Sequence, residues 1–139
     1  MFTAAETGHL VMGTLHTTGA ARTVDRIIDQ YPTHQQDQVQ SQLAVSLQAV
    51  ISQVLIKRAD GNGRVAAFEV MIRNPAIENH IRKGETYKIP SVIQTQKRLG
   101  MQLLDDHLFD LVKSGTISKE SAIAYSQIPG DLRQRLETV

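Results

Sequence analysis

The sequence predicts a mixed α/β fold: a strand, two helices, a β-hairpin and then a series of short helices. Three observations carry that expectation. The apolar run Leu10–Leu15 has the length of a buried strand, is bounded by glycine and threonine, and hands over to a helical pattern. Asp60-Gly61-Asn62-Gly63 separates two extended apolar stretches with residues that tolerate a tight turn. Beyond Asn74-Pro75, apolar residues recur at helical spacing and are punctuated by proline and glycine. A chain of 139 residues, 41% hydrophobic and 21% charged, has the size and composition of one modest globular unit.

Each element has a local reason. Ala20, Ala21, Val24, Ile27, Ile28 and Tyr31 share one helical face, while Arg22, Asp25, Arg26 and Asp29 are spaced for solvent-side i,i+3 and i,i+4 ion pairs. Pro32 stops that helix, and Thr33 with Gln36 reads as a capping box for the next. The second helix carries a stripe from Val39 and Leu43 through Leu47, Val50, Ile51 and Val54, opposite a glutamine-rich face. Gln53–Lys57 reads as a strand, and Arg64–Ile72 as its returning partner, apolar enough to be covered on both faces. Asn74 as N-cap and Pro75 at the first position start a helix through Lys83, which Gly84 ends. Pro90 and Gly100 bracket a helix over Ser91–Leu99. Leu103, Leu104, Leu108, Leu111 and Val112 make another, and Ser118 caps one through about Gln127. Pro129-Gly130 ends it, leaving Asp131–Val139 as a polar tail expected to fray.

The first candidate site is His16 with Thr14, Thr17 and Thr18. A strand that ends in histidine and small hydroxyl residues before a helix presents polar groups where α/β sheets bind ligands. An imidazole there can contact a phosphate or steer a water. On spacing alone, a histidine bonded to a nearby loop carbonyl is the commoner arrangement. His9, His34, His80 and His107 show no metal-ligand spacing, so no zinc site is expected, and His107 reads as solvated. Glu69 sits in a strongly apolar strand and reads as a buried, paired carboxylate, a weak functional signal. Gly61-Asn62-Gly63 is a turn rather than a phosphate loop, because no Lys-Ser/Thr follows it.

The stretch Thr3–Asp29 resembles the His box of the PilT family, the type IV pilus retraction ATPases. The likeness continues through Ser46–Gln53, Gly63–Ala67, Pro75–Ile77, Ile93–Thr95 and Gly100–Gln102, and so runs over about residues 3 to 128. The resemblance implies the C-terminal part of a RecA-like P-loop ATPase core over 1–73, a helical subdomain over 74–128 and a tail over 129–139. It implies that His16 senses the γ-phosphate with Thr14 and Thr17 beside it, and that His9 and Arg26 contact nucleotide. Ala76, Ile77, Asn79, Ile81 and Arg82 match the family's Ala-Ile-Arg-Asn-Leu-Ile-Arg-Glu motor helix, whereas Glu78, His80 and Lys83 depart from it. Two of those departures reverse a charge, which sets the retraction role of this helix in question, and Glu78 gains an i,i+4 partner in Arg82. Phe68 likewise stands where the family has histidine.

An ATPase of this kind needs a Gly-x-x-x-x-Gly-Lys-Ser/Thr loop and an acidic residue for magnesium. No Gly-Lys-Ser/Thr occurs in these residues. The resemblance places both elements ahead of the His box, so the expectation is a C-terminal fragment that does not turn over ATP alone. The implied whole would be a homo-hexamer using ATP and Mg2+ and working on an inner-membrane platform protein. A type II secretion or pilus-extension ATPase, and a non-catalytic helical binding module, are the alternatives. A net charge of +1 gives no field to recruit nucleic acid. No apolar run approaches the ~20 residues of a membrane span, no leader pattern is visible and cysteine is absent, so a cytoplasmic protein is expected.

Overall fold

A computed structural model describes residues 1–139. The β-hairpin at its centre joins β1 (Ala49–Lys57) and β2 (Arg64–Ile72), antiparallel in a register that pairs Ala49 with Ile72 and Ser52 with Glu69. Asp60 Oδ1 accepts the Asn62 N–H at 2.8 Å and closes the turn that the glycines permit. Helices flank the hairpin in chain order: α1 (Phe2–Glu6), α2 (Ala20–Asp29) and α3 (Thr33–Ser46) before it. After it come α4 (Pro75–Arg82), α5 (Ile89–Thr95), α6 (Leu104–Lys113), α7 (Lys119–Tyr125) and α8 (Pro129–Glu137).

Two apolar clusters hold these elements. In one, Val24 and Ile27 of α2 and Leu43 of α3 pack with Ile77 and Ile81 of α4 and Ile93 of α5. In the other, Ile56 and Ala67 of the hairpin pack with Leu104, Leu108, Leu132 and Leu136. The first cluster joins side chains from both sides of residue 73, so packing does not divide there. Asn74 caps α4 as its spacing predicts, its Oδ1 accepting the Ile77 N–H at 2.8 Å. Ser118 does the same for α7 through the Ser121 N–H at 3.1 Å.

Five expectations are corrected. Leu10–Leu15 is not a strand: residues 10–15 make no backbone–backbone hydrogen bond, and Leu10 and Met12 are 88% and 86% exposed. The sheet has two strands, and its one further bridge, Val70 with Gln102, lies elsewhere, so the run has nothing to pair with. The stripe from Val39 does not continue past Leu47, where ψ turns to 117° and the chain enters β1. β2 is not buried on both faces: Ala67, Glu69 and Met71 are buried, whereas Ala66, Phe68 and Val70 between them are half-buried and Ile72 is exposed. Asp131–Val139 does not fray: Leu132 and Leu136 are buried one turn apart on α8. The capping box is also incomplete. Gln36 reaches back to the Tyr31 carbonyl at 3.1 Å, and Thr33 makes no cap bond.

Candidate functional site

A polar cavity of about 430 Å³ lies where the chain enters α2, with no hydrophobic residue in its wall. The turn supplies His16, Thr17 and Thr18; the first two turns of α2 supply Arg22, Asp25 and Arg26, with Asp29 beyond them. The helical period explains this division. Ala20, Val24, Ile27 and Ile28 bury one face of α2 and leave the charged positions together on the other. The solvent-side ion pairs expected among those charges are absent, since none of the four makes an ion pair within 4.0 Å. Asp25 instead accepts a hydrogen bond from Thr86 Oγ1 at 2.7 Å, which anchors one carboxylate to the neighbouring 3-10 turn. Two guanidinium groups and the carboxylates of Asp25 and Asp29 thus line one open, polar space.

The turn that carries His16 is fixed by its neighbours. Thr23 Oγ1 donates to the Gly19 carbonyl at 2.8 Å, so the 2.7 Å contact between the two threonine hydroxyls has Thr17 as donor. The Gly19 N–H donates to Ser52 Oγ at 2.9 Å, and the Ala20 N–H donates to Glu69 Oε1 at 2.8 Å. Ser52 and Glu69 are cross-strand partners, so the sheet itself holds two consecutive orphan donors of the α2 N-terminus. Gly19 cannot be replaced without cost. Its φ is +99°, and a Cβ there would lie 2.6 Å from Gln127 Nε2. His16 stays exposed at the mouth of this turn, with Thr17 and Thr18 half-buried beside it.

Of the residues that the sequence nominated, the structure brings His16, Thr17 and Arg26 into one cavity. Thr14 is exposed outside it, in the irregular segment that precedes the turn. His9 is also apart, its Nδ1 lying 3.2 Å from both Thr7 Oγ1 and the Ala4 carbonyl at the end of α1. The sequence reading missed Arg22, Asp25 and Asp29 as cavity residues; their shared helical face was the signal, and it was read as ion pairing. On α4, Ile77 and Ile81 are fully buried, Asn79 is half-buried, and Ala76 and Arg82 are exposed. Glu78 does pair with Arg82, at 2.6 Å, and also meets Arg73 at 3.6 Å.

Other ionisable groups serve the fold. His107 is not solvated: its Nδ1 accepts the Phe68 backbone N–H at 3.0 Å, and its ring stacks on Phe68. Glu85 is held below the usual carboxylate range chiefly by a hydrogen bond from Lys88, whose own pKa rises with the same contact. For Asp106, burial raises the carboxyl, but hydrogen bonds from Lys97 and Arg135 outweigh it and leave the pKa lowered. No group of three or more His, Cys, Asp or Glu side chains is placed to hold a metal ion, and no helix is long and apolar enough to cross a membrane.

Residues 1–107 match the family model described as type II/IV secretion system protein. The chain is 57% identical over 120 residues to a twitching motility protein of Neisseria gonorrhoeae, covering 86% of this chain and 32% of that protein. It is 55% identical over 127 residues to the type IV pilus retraction ATPase PilT of Pseudomonas aeruginosa, covering 91% and 37% respectively. A crystal structure of the pilus retraction motor PilT with bound ADP superposes with a TM-score of 0.85 at 42% identity, over 96% of this chain and 37% of that one. The chain thus spans about a third of the length of these relatives. Its mixed α/β architecture is that of the C-terminal part of a RecA-like ATPase of this kind. With the His16 turn, the hairpin and α4 all falling inside the matched residues, the chain belongs to the type II/IV secretion system protein family and, within it, resembles the PilT motors.

Proposed function

We propose that these residues form the C-terminal part of a hexameric, cytoplasmic motor that couples ATP hydrolysis to retraction of a type IV pilus. The observation that carries this reading is the all-polar cavity that sets His16 and Thr17 opposite Arg22 and Arg26. Arg22 and Arg26 offer planar donors to phosphate oxygens beside two hydroxyls and an imidazole, while Asp25, tied to Thr86, and Asp29 balance their charge until a phosphate-bearing edge brings its own. The same cavity has no glycine-rich loop and no lysine, so these residues would contact a nucleotide held mainly by other parts of the motor.

When bound, the nucleotide with its Mg2+ supplies the bond whose cleavage powers the motor. The residues here bind and orient. Arg22 and Arg26 hold negative charge over the face of α2. Thr17, fixed by Thr23, keeps the turn in register, and His16 reads whether a terminal phosphate is present. That role asks for a hydrogen bond from an exposed imidazole on a braced turn, not for a general base. α4 is the helix through which the motor would act on its platform partner: Ala76 and Arg82 are exposed and Asn79 is half-buried, while Ile77 and Ile81, buried in the core, hold the helix in place.

The test is a chimera in which these residues replace the matching segment of the Neisseria gonorrhoeae twitching motility protein. The chimera should hydrolyse ATP and support twitching. His16→Ala within it should lower turnover about tenfold or more, the scale of losing one contact to developing phosphate charge. A chimera that assembles yet loses nothing on His16→Ala would remove the sensing role. One that assembles and never hydrolyses ATP would remove the motor reading.

A further inference from the structure

The buried carboxylate of Glu69 has no part in the reading above. It is 2% exposed on the inner face of β2, and no lysine, arginine or histidine lies within 4.0 Å of it. Its partners are N–H donors. Oε1 accepts from Ala20 N at 2.8 Å, while Oε2 accepts from Leu104 N at 3.1 Å and Gln127 Nε2 at 3.2 Å. Ala20 and Leu104 are the first residues of α2 and α6, so one carboxylate sits between two helix N-termini and meets the positive end of both dipoles. Gln127 belongs to the α7–α8 connection, and its backbone N–H donates to Asp105 of α6 at 2.9 Å.

We propose that Glu69 is the positioning residue that couples the His16 turn to the C-terminal helices, carrying a change at the start of α2 to the start of α6. Three features make it a joint rather than an incidental buried group. Each oxygen serves a different element, so the carboxylate cannot follow α2 without straining its bonds to α6 and Gln127. Cross-strand Ser52 takes the preceding N–H of the same turn, which leaves the turn no path of motion that avoids the sheet. Gln127 also closes against Gly19, where even a methyl group would collide with its amide, so the turn and the α7–α8 connection are already in contact. The consequence for function, that His16 moves the C-terminal helices through Glu69, rests on the phosphate-sensing reading. The coupling itself does not.

Amide hydrogen exchange on this chain tests the coupling with no ligand present. The perturbation is Thr23→Val, which removes the hydroxyl's bonds to Thr17 and the Gly19 carbonyl, keeps the backbone N–H bond to that carbonyl, and does not touch Glu69, Gln127 or α6. In the parent chain it should speed exchange at Ala20 and Leu104 together, by about tenfold, while Ile93 in α5 stays unchanged. In a Glu69→Gln background, Leu104 should already exchange fast and should no longer respond to Thr23→Val. Such non-additivity is what a double-mutant cycle detects and what a uniform loss of stability does not produce. Glu69→Asp, one methylene too short to reach both helices, repeats the cycle if Glu69→Gln does not fold. Leu104 exchange that ignores Thr23→Val in the parent, or responds equally in both backgrounds, overturns the proposal. The chimera judges the other reading separately: ATP turnover there that does not fall on His16→Ala would count against phosphate sensing and leave the exchange result on this chain standing.

Discussion

Asp106 shows how a single side chain on α6 ties two distant segments and makes that tie depend on pH. Lys97 Nζ lies 2.9 Å from one of its oxygens and Arg135 Nη2 lies 3.0 Å from the other, so α8 and the turn after α5 both close onto α6. Its pKa in the folded chain is below the ordinary 3.8. A depressed folded pKa means that the folded state binds its proton less readily than the unfolded state. The contribution is therefore complete above about pH 4 and fades as pH falls through the lower folded value. Asp106→Asn should reduce the urea midpoint at pH 7, and the gap from the parent should narrow as the pH approaches 3. Equal gaps at both pH values would exclude the ion pairs as its origin. A neutral counterpart is Asn74→Ala, which removes the α4 cap and should cost about 1 kcal/mol by urea unfolding, whereas Asn74→Asp should cost little.

At the scale of elements, what was legible in the sequence was what local chemistry decides. Asn74-Pro75, Ser118 and the Asp60–Gly63 turn sit where their side chains and backbone preferences place them, because each satisfies its donors within a few residues. Leu10–Leu15 was misread because an apolar run becomes a strand only beside another strand, and neighbours are invisible to periodicity. α8 was missed for the opposite reason. Only Leu132 and Leu136 mark its buried face amid polar residues, and a two-residue stripe falls below what pattern reading detects. The site followed the same rule: Arg22 and Arg26 were visible on one helical face, but only tertiary contact reveals that Thr86 takes Asp25 away from them. Elements fixed by tertiary packing should be sensitive in their cores. Ile81→Ala on α4 should cost about 2–5 kcal/mol by urea unfolding, against a few tenths for Arg82→Ala on its exposed side.

For the whole molecule, two behaviours follow from what these residues contain and leave uncovered. Lacking a Gly-Lys-Ser/Thr loop, the chain by itself should release phosphate from ATP no faster than its own His16→Ala variant, and turnover clearly above that variant would contradict the division of labour proposed here. The second behaviour is association. Leu10 and Met12 are almost fully exposed on a segment without backbone partners, and Ile51 and Leu55 are exposed on the same face of β1. Unpaired backbone groups beside apolar side chains are the chemistry of an incomplete sheet, which lowers its free energy by finding another strand. The purified chain should therefore elute larger than 15.4 kDa, with a size that grows with concentration. Leu10→Asp combined with Ile51→Lys should return it to a monomer with unchanged helical content, because neither position contributes to the two buried clusters. A parent chain that stays monomeric at every concentration while protecting the amides of Leu10–Leu15 would show that those residues are satisfied within a single copy, and the open-edge argument would then fail.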